Sequence, residues 1–310
     1  METLEKIKVS VCCFSYNHGK YLRKALDGII AQNISFPIEV IIGDDCSTDN
    51  SQDIINEYKT KYPGLIKTIF QPVNSRGTKN FTDVYKMARG KYIIALETDD
   101  YWTDSYKLQN QVDFLESRPE YVAVAHNCII VNEDDSPIDK RYRSIKEGTY
   151  SYKHFMKGIM PGQTTTLLYK NPLYVNGLDW SLYNNSSITG PGDLRKVFCL
   201  LTVGKIYTLP QVMSAYRYVT SGGTSFSANN KRNDNNAIEY YKAFQEYARK
   251  YDNYSMNLAA DVRLLETAIG ALRQRSISKL EFKQISGSCK WLPIVYFNAF
   301  VNIINRKLRK

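Results

Sequence analysis

The segment KYIIALETDDYW, residues 91–102, decides how this chain is read. Tyr92, Ile93, Ile94, Ala95 and Leu96 form an apolar run of strand length, too short for a typical helix. The run stops at Glu97, Asp99 and Asp100, with Tyr101 and Trp102 just beyond. Carboxylates this close raise each other's pKa, so a buried strand ending in them calls for a positive partner. A hard divalent cation with oxygen ligands, itself clamping a phosphate, supplies that charge. In open α/β sheets, ligands bind outside the carboxyl ends of strands, which is where this cluster falls. The competing reading is a solvated acidic turn, a common sequel to a strand.

Outward from that segment, strand and helix patterns alternate. Residues 7–14 (IKVSVCCF) read as a buried strand, and Ser15-Tyr16-Asn17-His18-Gly19 as a turn. Tyr21, Leu22, Ala25, Leu26, Ile29 and Ile30 then recur at helical spacing. Residues 38–42 form a second strand ending at Gly43-Asp44-Asp45, and Asp49 with Gln52 resembles a capping box opening a helix. A strand at 65–70, a helix at 80–88, the 92–96 strand, a helix at 106–116 and a strand at 121–131 follow. This alternation predicts a Rossmann-like, doubly wound, mostly parallel sheet with helices on both faces. Beyond Asn132 the pattern weakens: a strand at 164–169, a helix at 193–201, a strand at 206–218 and a mobile loop at 220–225. Helical patterns at 237–251 and 256–273 complete a C-terminal helical extension.

The chain has 310 residues and a net charge of +10, and residues 231–310 hold 15 Lys and Arg against 7 Asp and Glu. A basic region points to an anionic surface. With no nucleic-acid motif and no basic run interleaved with aromatics, no nucleic acid is expected as a partner. The six cysteines lack a C-x-x-C pair or metal-ligand spacing, which fits reduced thiols of a cytoplasmic protein. The first residues lack a signal-peptide apolar segment, and no apolar run reaches the ~20 residues of a membrane span.

Carboxylates recur after strands: Asp44-Asp45, Asp99-Asp100, and Asp193 in G-P-G-D at a helix start. Together, VSVCCFSYN, IIGDDCSTD, ARGKYIIALETDDYWTD, GPGD and VMSAYR…SGG resemble the inverting family-2 glycosyltransferases of GT-A fold. In particular the chain resembles bacterial enzymes of surface-polysaccharide synthesis such as O-antigen or capsule, over about residues 7–227.

That resemblance implies a set of roles. Tyr16 would stack on the nucleobase and Asp45 would accept from its N3–H, as uracil or thymine allows. Asp100 would ligate Mn²⁺ or Mg²⁺, and Asp99 would contact ribose or donor sugar. Glu97 stands where the family's signature has an Asp. Asp193 matches the general base, with Pro-Gly in place of the commoner Gly-Glu before it. In such a reaction the acceptor hydroxyl attacks the anomeric carbon while a carboxylate takes its proton, and the cation neutralises the departing diphosphate.

Three residues carry two readings each. Arg217 closes over the diphosphate as part of a lid, or forms a surface ion pair worth only ~0–1 kcal/mol. Trp102 stacks on a sugar or sits at the core edge. Thr165, in Gln163-Thr164-Thr165-Thr166, lines the acceptor cleft or belongs to an edge strand. The three histidines carry no expected role.

The expected organisation is a catalytic domain at 1–230, with a nucleotide-binding half (1–131) and an acceptor-binding half (132–230). A basic helical region at 231–310 follows. Its end, WLPIVYFNAFVNII and then RKLRK after Asn305, is too short to span a bilayer but suits a helix in the headgroup region of an anionic membrane. The expectation is a metal-dependent transferase moving a sugar from a UDP- or dTDP-linked donor to a saccharide acceptor, lipid-linked, at the inner face of the plasma membrane. The alternatives are a non-catalytic nucleotide- or carbohydrate-binding protein and a sugar-nucleotide nucleotidyltransferase. The latter wants a Gly-rich, basic phosphate loop that the turn at 15–19 lacks.

Overall fold

Strand β1 (Val9–Ser15) is buried along its whole length, and parallel strands flank it on both sides. Its neighbours are β2 (Ile38–Asp44) and β4 (Tyr92–Glu97), and β3 (Ile66–Phe70) pairs outside β2. Sequences such as VSVCCFS lack a polar-out alternation because central parallel strands are covered on both faces. These features belong to a computed structural model that describes residues 6–185, 187–219 and 234–308.

The sheet also contains β5 (Tyr101–Trp102), β6 (Tyr121–Val131), β7 (Gly148–Tyr150), β8 (Leu168–Lys170) and β9 (Lys205–Arg217). Its order is β3-β2-β1-β4-β8-β6-β9-β5, with β7 off this path. β8 and β5 run against the other strands of the path, so the sheet is mostly parallel, as expected. Helices α1 (Gly19–Ile30), α2 (Ser51–Lys61), α3 (Thr78–Met87) and α4 (Lys107–Ser117) connect the strands. α1 buries Leu22, Ala25, Leu26 and Ile29, the stripe that its periodicity predicts, in a core shared with Ile94 and Trp102.

Two local expectations differ from the structure. Asp49 and Gln52 do not form a capping box. Asp49 accepts from the amides of Gly19 (2.9 Å) and Ser51 (3.0 Å), while Gln52 Nε2 donates to Asp44 (2.9 Å), so both side chains tie turns rather than cap α2. The 164–169 strand is a 3-10 turn at Thr164–Thr166 followed by β8, because Gln163 draws the Thr165 amide onto its own side chain. The loop expected at 220–225 lies outside the described residues.

The chain divides into two compact units. The first holds residues 1–149, 161–177 and 203–230; the second holds 150–160, 178–202 and 231–310. Residues 150–160 and 178–202, assigned by sequence to the acceptor half, thus cluster with the C-terminal helices. In the second unit Phe155, Phe198 and Phe244 pack ring against ring at 4.8–5.4 Å between centroids. Helix Tyr254–Arg273 forms its buried centre. Among the described residues, all six cysteines are free, and no helix is long and apolar enough to cross a membrane.

Candidate donor and metal site

The connections out of β1 and β3 leave in opposite senses, so the strand order reverses between β1 and β4. Such a switch point opens a crevice at the carboxyl ends of the strands. The amide and hydroxyl of Thr98 both donate to Phe14 O, at 3.0 and 3.1 Å, locking the loop after β4 against β1. His18, which starts α1, places Nδ1 3.0 Å from Thr98 Oγ1 and Nε2 3.9 Å from Asp99 Oδ2.

Within this crevice Glu97, Asp99 and Asp100 each offer an oxygen, all lying within 4.8 Å of one another. Asp100 is buried. Its Oδ1 accepts from the Arg217 amide and its Oδ2 from Gln163 Nε2, both at 2.8 Å. Burial, and then the charges of Asp99 and Glu97, push its carboxyl well above the ordinary carboxylate range. Asp99 Oδ1 is buried with no hydrogen-bond partner. Three clustered carboxylates, one with an orphaned oxygen, fit a hard divalent cation with oxygen ligands.

Tyr16 and Asp45 follow β1 and β2 directly, and those strands pair in parallel up to Ser15 and Asp44. The Asp45 amide donates to Ser15 O at 2.9 Å, setting the two residues side by side. Asp45 is buried and already serves the loop after β3: Oδ1 accepts from Ser75 N (3.0 Å) and Oγ (2.8 Å), and Oδ2 from Gly77 N (2.7 Å). Asn17 and Cys46, with φ of 54° and 64°, adopt left-handed backbone at the two strand exits. Hydrogen bonds from Asn17 N to Ser47 Oγ (2.9 Å) and from Thr48 N to Asn17 Oδ1 (2.8 Å) stitch these exits together. Backbone held in sparsely populated regions gathers at functional sites.

Arg217 does not take the role of a lid over a diphosphate, nor that of a surface ion pair. It is 1% exposed, and every guanidinium nitrogen has a protein acceptor. Nε donates to Asp99 O (2.8 Å), Nη1 to Asn132 O (2.8 Å) and Glu133 O (3.2 Å), and Nη2 to Asp135 Oδ1 (2.6 Å). Its guanidinium also lies 4.2 Å from the centre of the Tyr21 ring. Arg217 therefore positions the Asp99–Asp100 backbone instead of touching a donor.

Trp102 and Thr165 are likewise buried, which for Trp102 matches the core reading rather than the sugar contact. Trp102 is buried in the core with Lys107 Nζ 4.2 Å from its ring centre, because β5 pairs its backbone with β9. Thr165 is fully buried and donates through N (2.8 Å) and Oγ1 (2.7 Å) to Gln163 Oε1. Thr165 orients the Gln163 amide that holds Asp100.

Asp193 belongs to the second unit, in the first turn of helix Gly192–Leu200. Its side chain is 37% exposed, with Lys196 Nζ at 4.0 Å. The G-P-G-D lead-in has a local cause. Tyr240 OH donates to Pro191 O at 2.6 Å, and a Cβ on Gly190 (φ 150°) would lie 2.5 Å from the Tyr240 ring.

The structure thus gathers Tyr16, Asp45, Glu97, Asp99 and Asp100 at strand ends of the first unit, with Arg217 behind them. Sequence reading missed Gln163 and Asp135 as supports and His18 as a neighbour of Asp99. None of these three has a local motif. Their roles arise from contacts across 63 to 82 residues that periodicity does not report.

The description "Glycosyl transferase family 2" matches residues 10–178, more than half of the chain. An uncharacterized protein of Mycobacterium tuberculosis, Rv1520, is 34% identical over 222 residues, covering 67% of this chain and 58% of its own. The chain thus spans less than two thirds of the length of such curated relatives. The Escherichia coli protein named UDP-Glc:alpha-D-GlcNAc-diphosphoundecaprenol beta-1,3-glucosyltransferase WfaP is 32% identical over 121 residues, 39% of this chain and 46% of that one. Among solved structures, Staphylococcus aureus TarS 1–349 in complex with UDP-GlcNAc superposes with a TM-score of 0.63 at 16% identity, covering 96% of this chain and 89% of that one. The fold is that of GT-A glycosyltransferases, and the chain belongs to glycosyl transferase family 2.

Proposed function

We propose that this chain is a metal-dependent inverting glycosyltransferase. It moves a sugar from a UDP- or dTDP-linked donor to a saccharide acceptor in bacterial surface-polysaccharide synthesis. The observation that carries this reading is the convergence of Tyr16, Asp45 and the Glu97–Asp99–Asp100 cluster on one switch-point crevice. Tyr16 offers a ring for the base, and Asp45, fixed by Ser75 and Gly77, keeps one lone pair for an N3–H. Glu97, Asp99 and Asp100 would hold Mn²⁺ or Mg²⁺, which when bound offsets charge developing on the diphosphate. Asp193, solvent-accessible at a helix start, takes the acceptor hydroxyl's proton as it attacks the anomeric carbon.

The lipid-linked acceptor is supported by the WfaP name, and the UDP donor by that name and by the TarS complex. The chain would then work at the inner face of the plasma membrane. The test is Asp193→Asn. Donor binding should persist within about twofold while transfer falls by about 10²- to 10⁴-fold, the usual share of a general base. Unchanged transfer would remove Asp193 from the mechanism.

A further inference from the structure

The C-terminal helix Leu292–Lys307 is fastened to the second unit by one side only. Val295, Ala299 and Asn302 are buried on that side. Asn302 Nδ2 donates to Met156 O at 3.0 Å, and Arg306 Nη2 to Glu266 Oε2 at 2.5 Å. At 3.6 residues per turn, Phe297, Phe300, Ile304 and Leu308 fall on the opposite face. They are 68, 60, 39 and 80% exposed. Ile294 and Trp291 extend the apolar surface, and Trp291 meets Tyr254 edge to face at 4.6 Å. The Trp291 backbone is left-handed, with φ 49°, an uncommon conformation for so bulky a residue.

A contiguous exposed apolar stripe of this kind marks an interaction surface. Its charge selects the partner. From residue 282 to 310 the sequence has no Asp or Glu, while Lys283, Lys290 and Lys307 are exposed and Arg309 and Lys310 follow. A second copy would set cations against cations. A bilayer with anionic headgroups instead accepts both the apolar stripe and the lysines, and takes aromatic rings at the headgroup level. With 16 residues the helix is about 24 Å long, short of the ~30 Å hydrocarbon core, and its docked side anchors it to the protein.

We infer that the Phe297–Phe300–Ile304–Leu308 face lies flat in the headgroup region of an anionic bilayer. Docking there serves the lipid-linked acceptor proposed above, yet it is separable from that reading. The experiment is co-sedimentation of the full chain with vesicles of phosphatidylcholine containing phosphatidylglycerol, and with phosphatidylcholine alone, over a salt series. The chain should bind the anionic vesicles preferentially, and salt should weaken binding. The double variant Phe297→Ser/Phe300→Ser should partition at least about tenfold less, with circular dichroism and UDP binding unchanged. Lys290→Gln/Lys307→Gln should lose the preference for anionic vesicles. Equal sedimentation of wild type and the double variant would overturn the inference. So would a wild-type dimer that the double variant makes monomeric, since a second copy would then cover the face. Failure to bind UDP with vesicle binding intact would sink the donor-site reading and leave this one standing.

Discussion

Gln163 Nε2 donates to Asp100 Oδ2 at 2.8 Å, and Thr165 fixes which way that amide points. Because Gln163 Oε1 accepts two hydrogen bonds from Thr165, its NH₂ group is left to face the carboxylate. Supports of metal-binding carboxylates are commonly worth about 10- to 100-fold in metal affinity. Gln163→Ala should therefore weaken Mn²⁺-dependent UDP binding by about that factor, measured by calorimetry, and lower stability by about 1–3 kcal/mol because the buried Thr165 amide and hydroxyl lose their acceptor. Unaltered metal dependence would mean that Asp100 needs no such support.

Arg217 gives a contrasting expectation, since its guanidinium is wholly engaged with Asp99, Asn132, Glu133 and Asp135. Arg217→Ala leaves the carbonyls of Asp99, Asn132 and Glu133 without this donor, while Asp135 keeps Lys24 at 2.8 Å, and should cost about 1–3 kcal/mol in denaturant unfolding. Arg217→Lys should recover little, because an ammonium cannot reproduce the planar fork. A variant of normal stability that fails only in donor binding would restore the lid reading.

Asp45→Asn probes the loop after β3. The carboxylate accepts three hydrogen bonds from Ser75 and Gly77, and an amide must turn an NH₂ group towards at least one of those donors. We expect about 1–3 kcal/mol lower stability and weaker UDP binding, read by unfolding and calorimetry on the same preparation. Full stability with full UDP affinity would contradict both parts.

Glu116 sets an acid limb for stability. Burial alone would raise its pKa, but Lys91 Nζ (2.9 Å), Lys8 Nζ (3.0 Å) and Tyr92 OH (2.9 Å) outweigh that and lower it to about 2. A folded-state pKa below the unfolded one stabilises the fold above the unfolded value. That stabilisation is lost as pH falls from ~4.3 towards the folded value. Glu116→Gln should thus be less stable than wild type at pH 7, and the gap should close as pH approaches about 2. A gap independent of pH would locate the effect in packing.

What was legible in the sequence follows from what is local. The buried strands β1, β2, β4 and β6 show as apolar runs, and the Asp45 and Asp99–Asp100 clusters stand at their ends by order alone. Periodicity leaves Arg217, Trp102 and Thr165 each with two readings for a common reason. Each sits beside a site in sequence but faces inward, and which face of β5, β9 or the turn at Thr164–Thr166 is covered depends on strand pairing. The antiparallel insertion of β8 between β4 and β6 is of the same kind: a strand of three residues has no periodicity to read. Gln163 looked like one polar residue among threonines, and only its reach to Asp100 gives it meaning.

The central claim is a metal-dependent site for a uracil or thymine nucleoside diphosphate at the ends of β1, β2 and β4. Its most direct test is calorimetric titration of the full chain with UDP, dTDP, GDP, ADP and CMP, each with and without Mn²⁺. Binding of UDP or dTDP alone, dependent on Mn²⁺ and abolished in Asp100→Asn, is the result this account predicts. A folded protein that binds none of the five, or binds them all equally without metal, would contradict it.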